Sequence, residues 1–217
     1  MGSCFGGSII VIFFKDYSKV YAKVQTFQIR LKLDFALLNK YKVSGIWIHY
    51  AIKMALERGK MEELREVMRK WVTGVSVVTV QVDGSLHGMT VGSLVSVSID
   101  PPRIAITLGN QTRTHQMVQQ SKEFGVSILG DNQQLIAEHF SGMIPDQDER
   151  MASVKIARML NDIPVIDDAL GYLACRVVHE YNMPSSTLFV GEVLEARTCD
   201  KNLPLVYGNR RYHRLEL

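Results

Sequence analysis

Residues 72–109, VTGVSVVTVQVDGSLHGMTVGSLVSVSIDPPRIAITLG, carry the clearest indication of the fold. Its first part, Val72–Val82, alternates and is rich in β-branched residues, which is typical of a strand. Asp83-Gly84 is a tight-turn dipeptide that leads to a second strand-like run over Met89–Ile99. Two prolines end that run, and Arg103–Leu108 predicts a third strand. Strands that follow one another across short turns indicate an antiparallel sheet.

The residues after this stretch predict further strands and few helices. Short helices are expected over Thr114–Ser121, with Thr112 or Thr114 as N-cap, and from Asp131 through Phe140. More strands are predicted over Phe124–Leu129, Leu173–Tyr181, Thr187–Cys199, Leu203–Tyr207 and Arg211–Leu215. This pattern favours a mainly β protein, a closed or nearly closed antiparallel barrel, over a doubly wound parallel sheet.

An amphipathic helix is predicted just before residue 72. Leu64, Val67, Met68 and Trp71 are spaced i, i+3, i+4, i+7, so they share one face of a helix that begins near Met61. We expect Trp71 to lie in the hydrophobic core, and we expect the same of Phe140 in the later helix.

Composition and charge narrow the class of protein. The 217 residues are 47% hydrophobic and 22% charged, which is ordinary for a soluble globular protein. Residues 1–60 contain 10 Lys+Arg and 3 Asp+Glu (net +7), whereas residues 61–217 contain 15 and 19 (net −4). The basic residues therefore belong to the first 60 positions, and the mildly acidic remainder argues against a nucleic-acid partner.

Targeting and metal signals are absent from the sequence. The apolar run Ile9–Phe14 is too short to span a bilayer and has no basic segment before it, unlike a secretory signal. The three cysteines, Cys4, Cys175 and Cys199, show no metal-binding spacing and favour a reducing compartment. We therefore predict a cytoplasmic protein with no membrane span and no metal site.

A boundary is predicted near residue 60. Residues 1–60 contain no proline and show no single hydrophobic period. They form an N-terminal extension of unknown role, followed by a domain over residues 61–217. Two explanations remain open: a natural start at Met54 or Met61 with upstream sequence before it, or a lineage-specific extension.

The sequence lacks the markers of several enzyme classes. It has no GxSxG elbow, no GxxxxGK[ST] loop and no GxGxxG after a strand. Hydroxyl and small residues are instead crowded in two segments, residues 88–98 and residues 110–115. The second segment lies at the expected start of a helix, where backbone N–H groups favour an anion and Arg113 adds a charged fork. The two segments could together hold a phosphate and a flat polar ring, although Ser and Thr also commonly face solvent and cap helices.

These segments resemble a known family. The order of Thr73-Gly74-Val75, Gly88-Met89-Thr90, Ser96–Pro102, Thr112–His115 and Thr187–Val193 is similar to that of flavin reductase-like proteins of the FMN-binding split-barrel superfamily. Ala137–Phe140, Leu173–Val177 and Pro204–Tyr207 extend the resemblance, which covers about residues 61–217. It is closest to the reductase components of two-component flavin monooxygenases, such as 4-hydroxyphenylacetate 3-monooxygenase.

The resemblance implies a homodimeric split barrel that transfers hydride from NADH or NADPH to FMN or FAD, with a flavin-dependent monooxygenase as the expected partner. No catalytic acid or base is expected, because the flavin carries the chemistry and the protein orients it. The resemblance implies that cofactor-binding residues lie around the flavin ring, around the phosphate and near the nicotinamide. The residues expected to contact the flavin ring and ribityl chain are Thr90, Val91, Gly92, Ser93, Ser96 and Val97, with Phe124 packed nearby. Those expected to surround the phosphate are Asn110, Thr112, Arg113 and Thr114, and those expected near the nicotinamide are His139 and Tyr212.

Two segments depart from the family pattern. Gly92-Ser93-Leu94 stands where the family often has Ser-Ser-Phe, so one hydroxyl is missing and a backbone N–H is expected to replace it. Pro184-Ser185-Ser186 stands where the family often has Gly-Asp-His, which affects the expected nicotinamide contacts.

Several site residues also have purely structural explanations. Arg113 could lie on a solvated helix start, His139 could interact with a helix C-terminus, and Tyr212 could be an edge-strand aromatic. At the level of function, two alternatives to a reductase stay open. One is a flavin-binding electron-transfer or redox-sensing protein without efficient nicotinamide turnover, and the other is an assembly protein whose barrel only dimerises.

Overall fold

The structure is a computed structural model. It describes residues 10–12, 21–23, 45–142, 154–199 and 202–215, with side chains from residue 57 onward. The chain divides between Met68 and Arg69 into two units.

The first unit contains a strand pair and a long helix. Strands β1 (Ile10–Ile12) and β2 (Tyr21–Lys23) pair antiparallel, and helix α1 spans Gly45–Met68. The predicted helix is therefore present, but it begins earlier and ends before Trp71. The prediction that Trp71 lies in the core is wrong, since its side chain is 66% exposed. The helix ends three residues earlier, so Trp71 does not continue the helical face that the spacing suggested. Among the described helices, none combines the length and the apolar character needed to cross a bilayer.

The second unit is dominated by a seven-stranded antiparallel sheet. In chain order its strands are β4 (Ser76–Val82), β5 (Ser85–Val91), β6 (Val95–Ser98), β7 (Arg103–Gly109), β8 (Glu123–Ile128), β11 (Gly171–Asn182) and β12 (Ser186–Thr198). Across the sheet they run in the spatial order β5-β4-β8-β11-β12-β7-β6.

The sheet must curl into a barrel because its two edge strands are neighbours in sequence. Only residues 92–94 join β5 to β6, which lie at opposite ends of the strand order. Within this link, the Ser93 hydroxyl donates to Thr107 O (3.1 Å) and accepts from Thr107 N–H (3.0 Å), so the link is fastened to β7. The predicted mainly β, antiparallel barrel is confirmed.

Smaller elements cover the barrel. Strands β3 (Thr73–Gly74), β13 (Leu205–Gly208) and β14 (Arg211–Arg214) form a three-stranded sheet in the order β14-β13-β3. Strands β9 (Ile156–Arg158) and β10 (Pro164–Ile166) form a pair that the sequence patterns did not predict. The remaining helices are α2 (Arg113–Ser121), α3 (Gln134–Phe140) and two 3₁₀ turns, Asp131–Gln133 and Leu160–Asp162.

Strand β4 separates two hydrophobic cores. Val78 and Val80 face the barrel interior, where they join the fully buried Phe124 and Phe189. Val77, on the opposite face, joins a second core that includes Phe140, which is 2% exposed as predicted. Alternation along a strand sends successive side chains to opposite faces. The strand is therefore buried on both sides, which explains why it is rich in valine.

The predicted N-cap of α2 is confirmed at Thr112. Its Oγ1 accepts a hydrogen bond from His115 N–H (3.2 Å), which satisfies one of the free donors of the first turn. The helix ends at Lys122, whose left-handed conformation lets its N–H bond to Val118 O.

Candidate functional site

The end of β5 presents main chain rather than hydroxyl groups. Thr90 Oγ1 donates to Ala137 O of α3 (2.7 Å), and the Ser93 hydroxyl is held by the backbone of Thr107. Val91 is buried at 5% exposure, whereas Gly92 is exposed. Of the predicted ring-binding segment 90–93, the part open to a ligand is therefore the Gly92 backbone.

A row of side chains from the three-stranded sheet lies beside this segment. Thr73 pairs with Tyr207, and Tyr207 pairs with Tyr212, so the three side chains share one face of that sheet. The Tyr207 and Tyr212 rings pack edge to face with centroids 5.1 Å apart. A β-carbon on Gly92 would lie 2.9 Å from Thr73 Oγ1, which shows that this face meets the end of β5.

Tyr212 and His139 are both associated with helix α3. Burial is the main cause that raises the pKa of the Tyr212 hydroxyl, the Glu138 carboxylate raises it further, and a hydrogen bond with Ser141 opposes the shift. Tyr212 therefore remains a neutral phenol at neutral pH. His139 lies in the last turn of α3 and is half-buried, a position that also suits a cation at a helix C-terminus.

The start of α2 collects three of the four residues predicted to surround a phosphate. Arg113 is exposed and its Nη2 donates to Ser85 Oγ at 2.8 Å. Asn110 is held by a backbone bond from its N–H to Ser185 O (3.1 Å) and by a bond from Nδ2 to Met183 O (2.9 Å). Thr112 is the N-cap. The positive end of a helix start, together with an exposed guanidinium, makes a site suited to an anion.

Thr114 does not face this anion site. Its side chain is completely buried, and its Oγ1 lies 2.9 Å from His87 Nδ1. It points into the protein because, as the second residue of α2, it lies on the helix side that packs against the sheet. The same burial excludes it as an alternative N-cap.

Phe124 lies in the barrel core rather than at a surface. It is 0% exposed, and a β-carbon on Gly191 would lie 2.8 Å from its Cζ. Phe124 therefore affects a bound ring only indirectly, by supporting the residues that pack around it.

Strand β6 carries Ser96 and Val97 at the edge of the sheet. Both residues are exposed, and Val97 is exposed by 53%. Val95 in the same strand and Ile99 just beyond its end are 54% and 86% exposed, and a register shift between Ser96 and Ser98 interrupts the regular alternation at Val97. The edge strand and the residue after it therefore expose three apolar side chains.

A buried polar network that the sequence did not indicate lies behind the anion site. His115 is 6% exposed, and its Nε2 lies 2.9 Å from Thr187 Oγ1. That hydroxyl is also 3.0 Å from Asn110 Oδ1 and 3.0 Å from Asn182 Oδ1. The network joins the start of α2 to the turn between β11 and β12. No motif marks it, because its four residues come from distant parts of the chain.

Within the described residues, no group of three or more His, Cys, Asp or Glu side chains could hold a metal ion. Cys175 and Cys199 are free thiols, and burial raises the pKa of Cys175 to about 12. The arrangement offers an exposed backbone, hydroxyl and phenol groups, and a cation. These are groups that bind and orient a ligand.

Comparison with known proteins identifies the family. The model of the flavin reductase like domain matches residues 68–216. The chain is 31% identical over 152 residues to NADH-dependent flavin reductase StyB of Pseudomonas fluorescens, covering 69% of this chain and 86% of that protein. It is 27% identical over 154 residues to the 4-hydroxyphenylacetate 3-monooxygenase reductase component of Thermus thermophilus (71% and 96% covered).

A solved structure agrees with the sequence matches. Flavin reductase PheA2 superposes with a TM-score of 0.66 at 33% identity, covering 72% of this chain and 98% of PheA2. The predicted split-barrel fold is confirmed by these neighbours. The chain therefore belongs to the flavin reductase-like domain family.

Proposed function

We propose that this protein is an NADH-dependent flavin reductase, with FMN or FAD as the flavin. The observation that carries this proposal is the 31% identity to an NADH-dependent flavin reductase over 69% of the chain. The matched residues, 68–216, lie almost entirely in the second unit. They include the end of β5, the sheet face that carries Tyr207 and Tyr212, and the anion site at the start of α2.

The residues present fit a flavin. The exposed Gly92 main chain has no side chain of its own to exclude a flat ring. Asn110, Thr112 and Arg113 fit the phosphate, because they place a helix start and a guanidinium at one surface. When bound, the flavin supplies the hydride acceptor.

The protein's own groups bind and orient rather than transfer protons. Thr90 and Ser93 fix the backbone of the β5 end through bonds to Ala137 and Thr107, so the Gly92 amide is held in one position. Tyr212 lies on the same sheet face as Thr73, and His139 lies in helix α3, which accepts the Thr90 bond; both are proposed to line the nicotinamide side. Fixing both reactants in one orientation lowers the entropic cost of their encounter.

The proposed assembly is a homodimer formed through β6. The apolar side chains of Val95 and Val97 in this edge strand, and of Ile99 just beyond it, are exposed, and such edges favour pairing with another chain. A flavin-dependent monooxygenase is the proposed recipient of the reduced flavin, supported by relatives that are reductase components of such systems.

The proposed cellular setting is the reducing cytoplasm, which is supported by the free thiols Cys175 and Cys199.

The direct assay is NADH consumption by the purified full chain, followed at the nicotinamide absorbance band. We expect consumption that depends on added flavin and saturates with FMN or FAD. NADPH serves as the comparison donor. A protein that binds flavin but consumes no NADH would support the electron-transfer alternative and contradict the proposal.

A further inference from the structure

The site contains a hydroxyl that no bond within the described chain uses. Thr73 is half-buried, and the side-chain contacts of the described residues give its Oγ1 no hydrogen-bond partner. Nearby hydroxyls differ, since Thr90 bonds to Ala137 O and Ser93 bonds to the Thr107 backbone. Beside the end of β5, the Thr73 hydroxyl is therefore free to donate a hydrogen bond to a ligand, unlike those of Thr90 and Ser93.

The position of this hydroxyl depends on the glycine at 92. A β-carbon at residue 92 would lie 2.9 Å from Thr73 Oγ1 and 3.7 Å from Thr73 Cβ, closer than the surrounding structure could accept unchanged. Thr73 Oγ1 thus occupies the space that a side chain at residue 92 would need. The Thr73 hydroxyl and a side chain at residue 92 would therefore compete for the same space.

Thr73 also stands on the right surface. It lies on the same face of the three-stranded sheet as Tyr207 and Tyr212, next to the exposed Gly92 main chain.

We infer that Thr73 is a flavin-binding residue, whose hydroxyl hydrogen-bonds a polar edge of the isoalloxazine beside the Gly92 backbone. The inference rests on the proposed function. The sequence led us to expect a backbone N–H alone to replace the hydroxyl missing at residue 92. We infer instead that the Thr73 hydroxyl, on β3, replaces it.

The first test measures flavin affinity by quenching of flavin fluorescence. Thr73→Val removes the hydroxyl and keeps the shape, and we expect it to weaken FMN binding about three- to tenfold, the range for one neutral hydrogen bond. Thr73→Ser keeps the hydroxyl and should rescue binding to within about twofold of wild type. Thr198→Val, at the exposed end of β12, is the matched control. Wild-type affinity in Thr73→Val would overturn the inference.

The second test exchanges the two positions. Gly92→Ser alone should weaken FMN binding, because its β-carbon meets Thr73 Oγ1. Thr73→Ala alone should also weaken binding. Combined, Gly92→Ser and Thr73→Ala remove the clash and return a hydroxyl to the same place, so affinity should recover toward wild type. A double variant that binds as weakly as the worse single variant would contradict the shared role.

Failure of the proposed function and failure of the role of Thr73 give different results. If the wild-type chain binds neither FMN nor FAD, the proposed function fails. If wild type binds flavin and Thr73→Val binds it equally well, with unchanged near-ultraviolet circular dichroism in both, only the inference about Thr73 fails.

Discussion

His115 Nε2 lies 2.9 Å from Thr187 Oγ1, a buried contact that ties the start of α2 to strand β12. The amide oxygens of Asn110 and Asn182 only accept, so Thr187 gives its single proton to one of them and accepts from His115 Nε2–H. His115 Nδ1 is buried without a partner in the described chain, which favours the tautomer that carries no proton there. The contact thus holds Asn110, which lies in the proposed phosphate site.

Replacing Thr187 should therefore destabilise the protein. Thr187→Val leaves the buried His115 Nε2 without its partner and removes the donor to the amide oxygens of Asn110 and Asn182, and we expect the free energy of unfolding to fall by about 1–3 kcal/mol. Urea titration measures this. Thr187→Ser keeps the hydroxyl and should lose much less. Equal loss in both variants would show that the methyl group rather than the hydroxyl matters.

Arg113 should act on the phosphate and not on the ring. Arg113→Ala should weaken FMN binding about tenfold or more, since a hydrogen bond to a charged group contributes about 1.5–3 kcal/mol. Riboflavin, which lacks the phosphate, should bind wild type and variant equally. Arg197→Ala, an exposed arginine of β12, is the control. An equal loss for FMN and riboflavin would remove Arg113 from the phosphate site.

Cys175 should make the protein less stable in alkali. Burial raises the pKa of its thiol from an ordinary 9.0 to about 12, so between these values the unfolded chain loses a proton that the folded chain keeps. The unfolded state then binds fewer protons, and stability falls as pH rises through this window, by up to about 1.4 kcal/mol per pH unit. Cys175→Ala should show a shallower decline in alkaline unfolding experiments. Parallel curves for the two proteins would contradict the cause assigned here.

Residue 125 must be glycine because the backbone of β10 approaches it closely. A β-carbon there would overlap Pro164 O, a main-chain atom of β10, so Gly125→Ala should cost about 3 kcal/mol or more of stability. Gly171→Ala is the matched control, because its β-carbon would meet its nearest neighbour at an ordinary 3.6 Å. Thermal unfolding compares the two variants. Similar melting temperatures would show that β10 can move away from β8.

Val97 tests the proposed dimer. A charge in the middle of the exposed β6 face should disrupt pairing, so Val97→Lys should reduce the mass measured by light scattering from twice the chain mass to one chain mass. Wild type that is already monomeric at assay concentration would contradict the homodimer.

Local patterns predicted the main elements because each has a local physical signal. Val72–Val82 contains a strand since its β-branched residues alternate, and Thr112 caps α2 since its hydroxyl reaches a nearby N–H. The β9–β10 pair was missed because three-residue strands are too short to show a period.

The site was less predictable because it depends on contacts between distant residues. The resemblance implied that Thr90 and Ser93 contact the flavin, and the structure adds that α3 and β7 supply acceptors for their hydroxyls. Thr114 was grouped with Arg113 by proximity in sequence, and the helix turns it inward. Thr73 was overlooked because the glycine that makes room for it lies 19 residues away. Thr73 belongs to the Thr73-Gly74-Val75 segment that carries part of the resemblance, but no local pattern there assigns its hydroxyl a place in the site.

The proposed reductase activity is checked by following flavin absorbance in an anaerobic mixture of NADH, excess FMN and a catalytic amount of the full chain. We predict that the yellow flavin absorbance disappears with loss of one NADH per flavin, at a rate proportional to protein concentration. Flavin that stays yellow at the rate of the protein-free mixture, with both FMN and FAD, would contradict the proposed reductase activity.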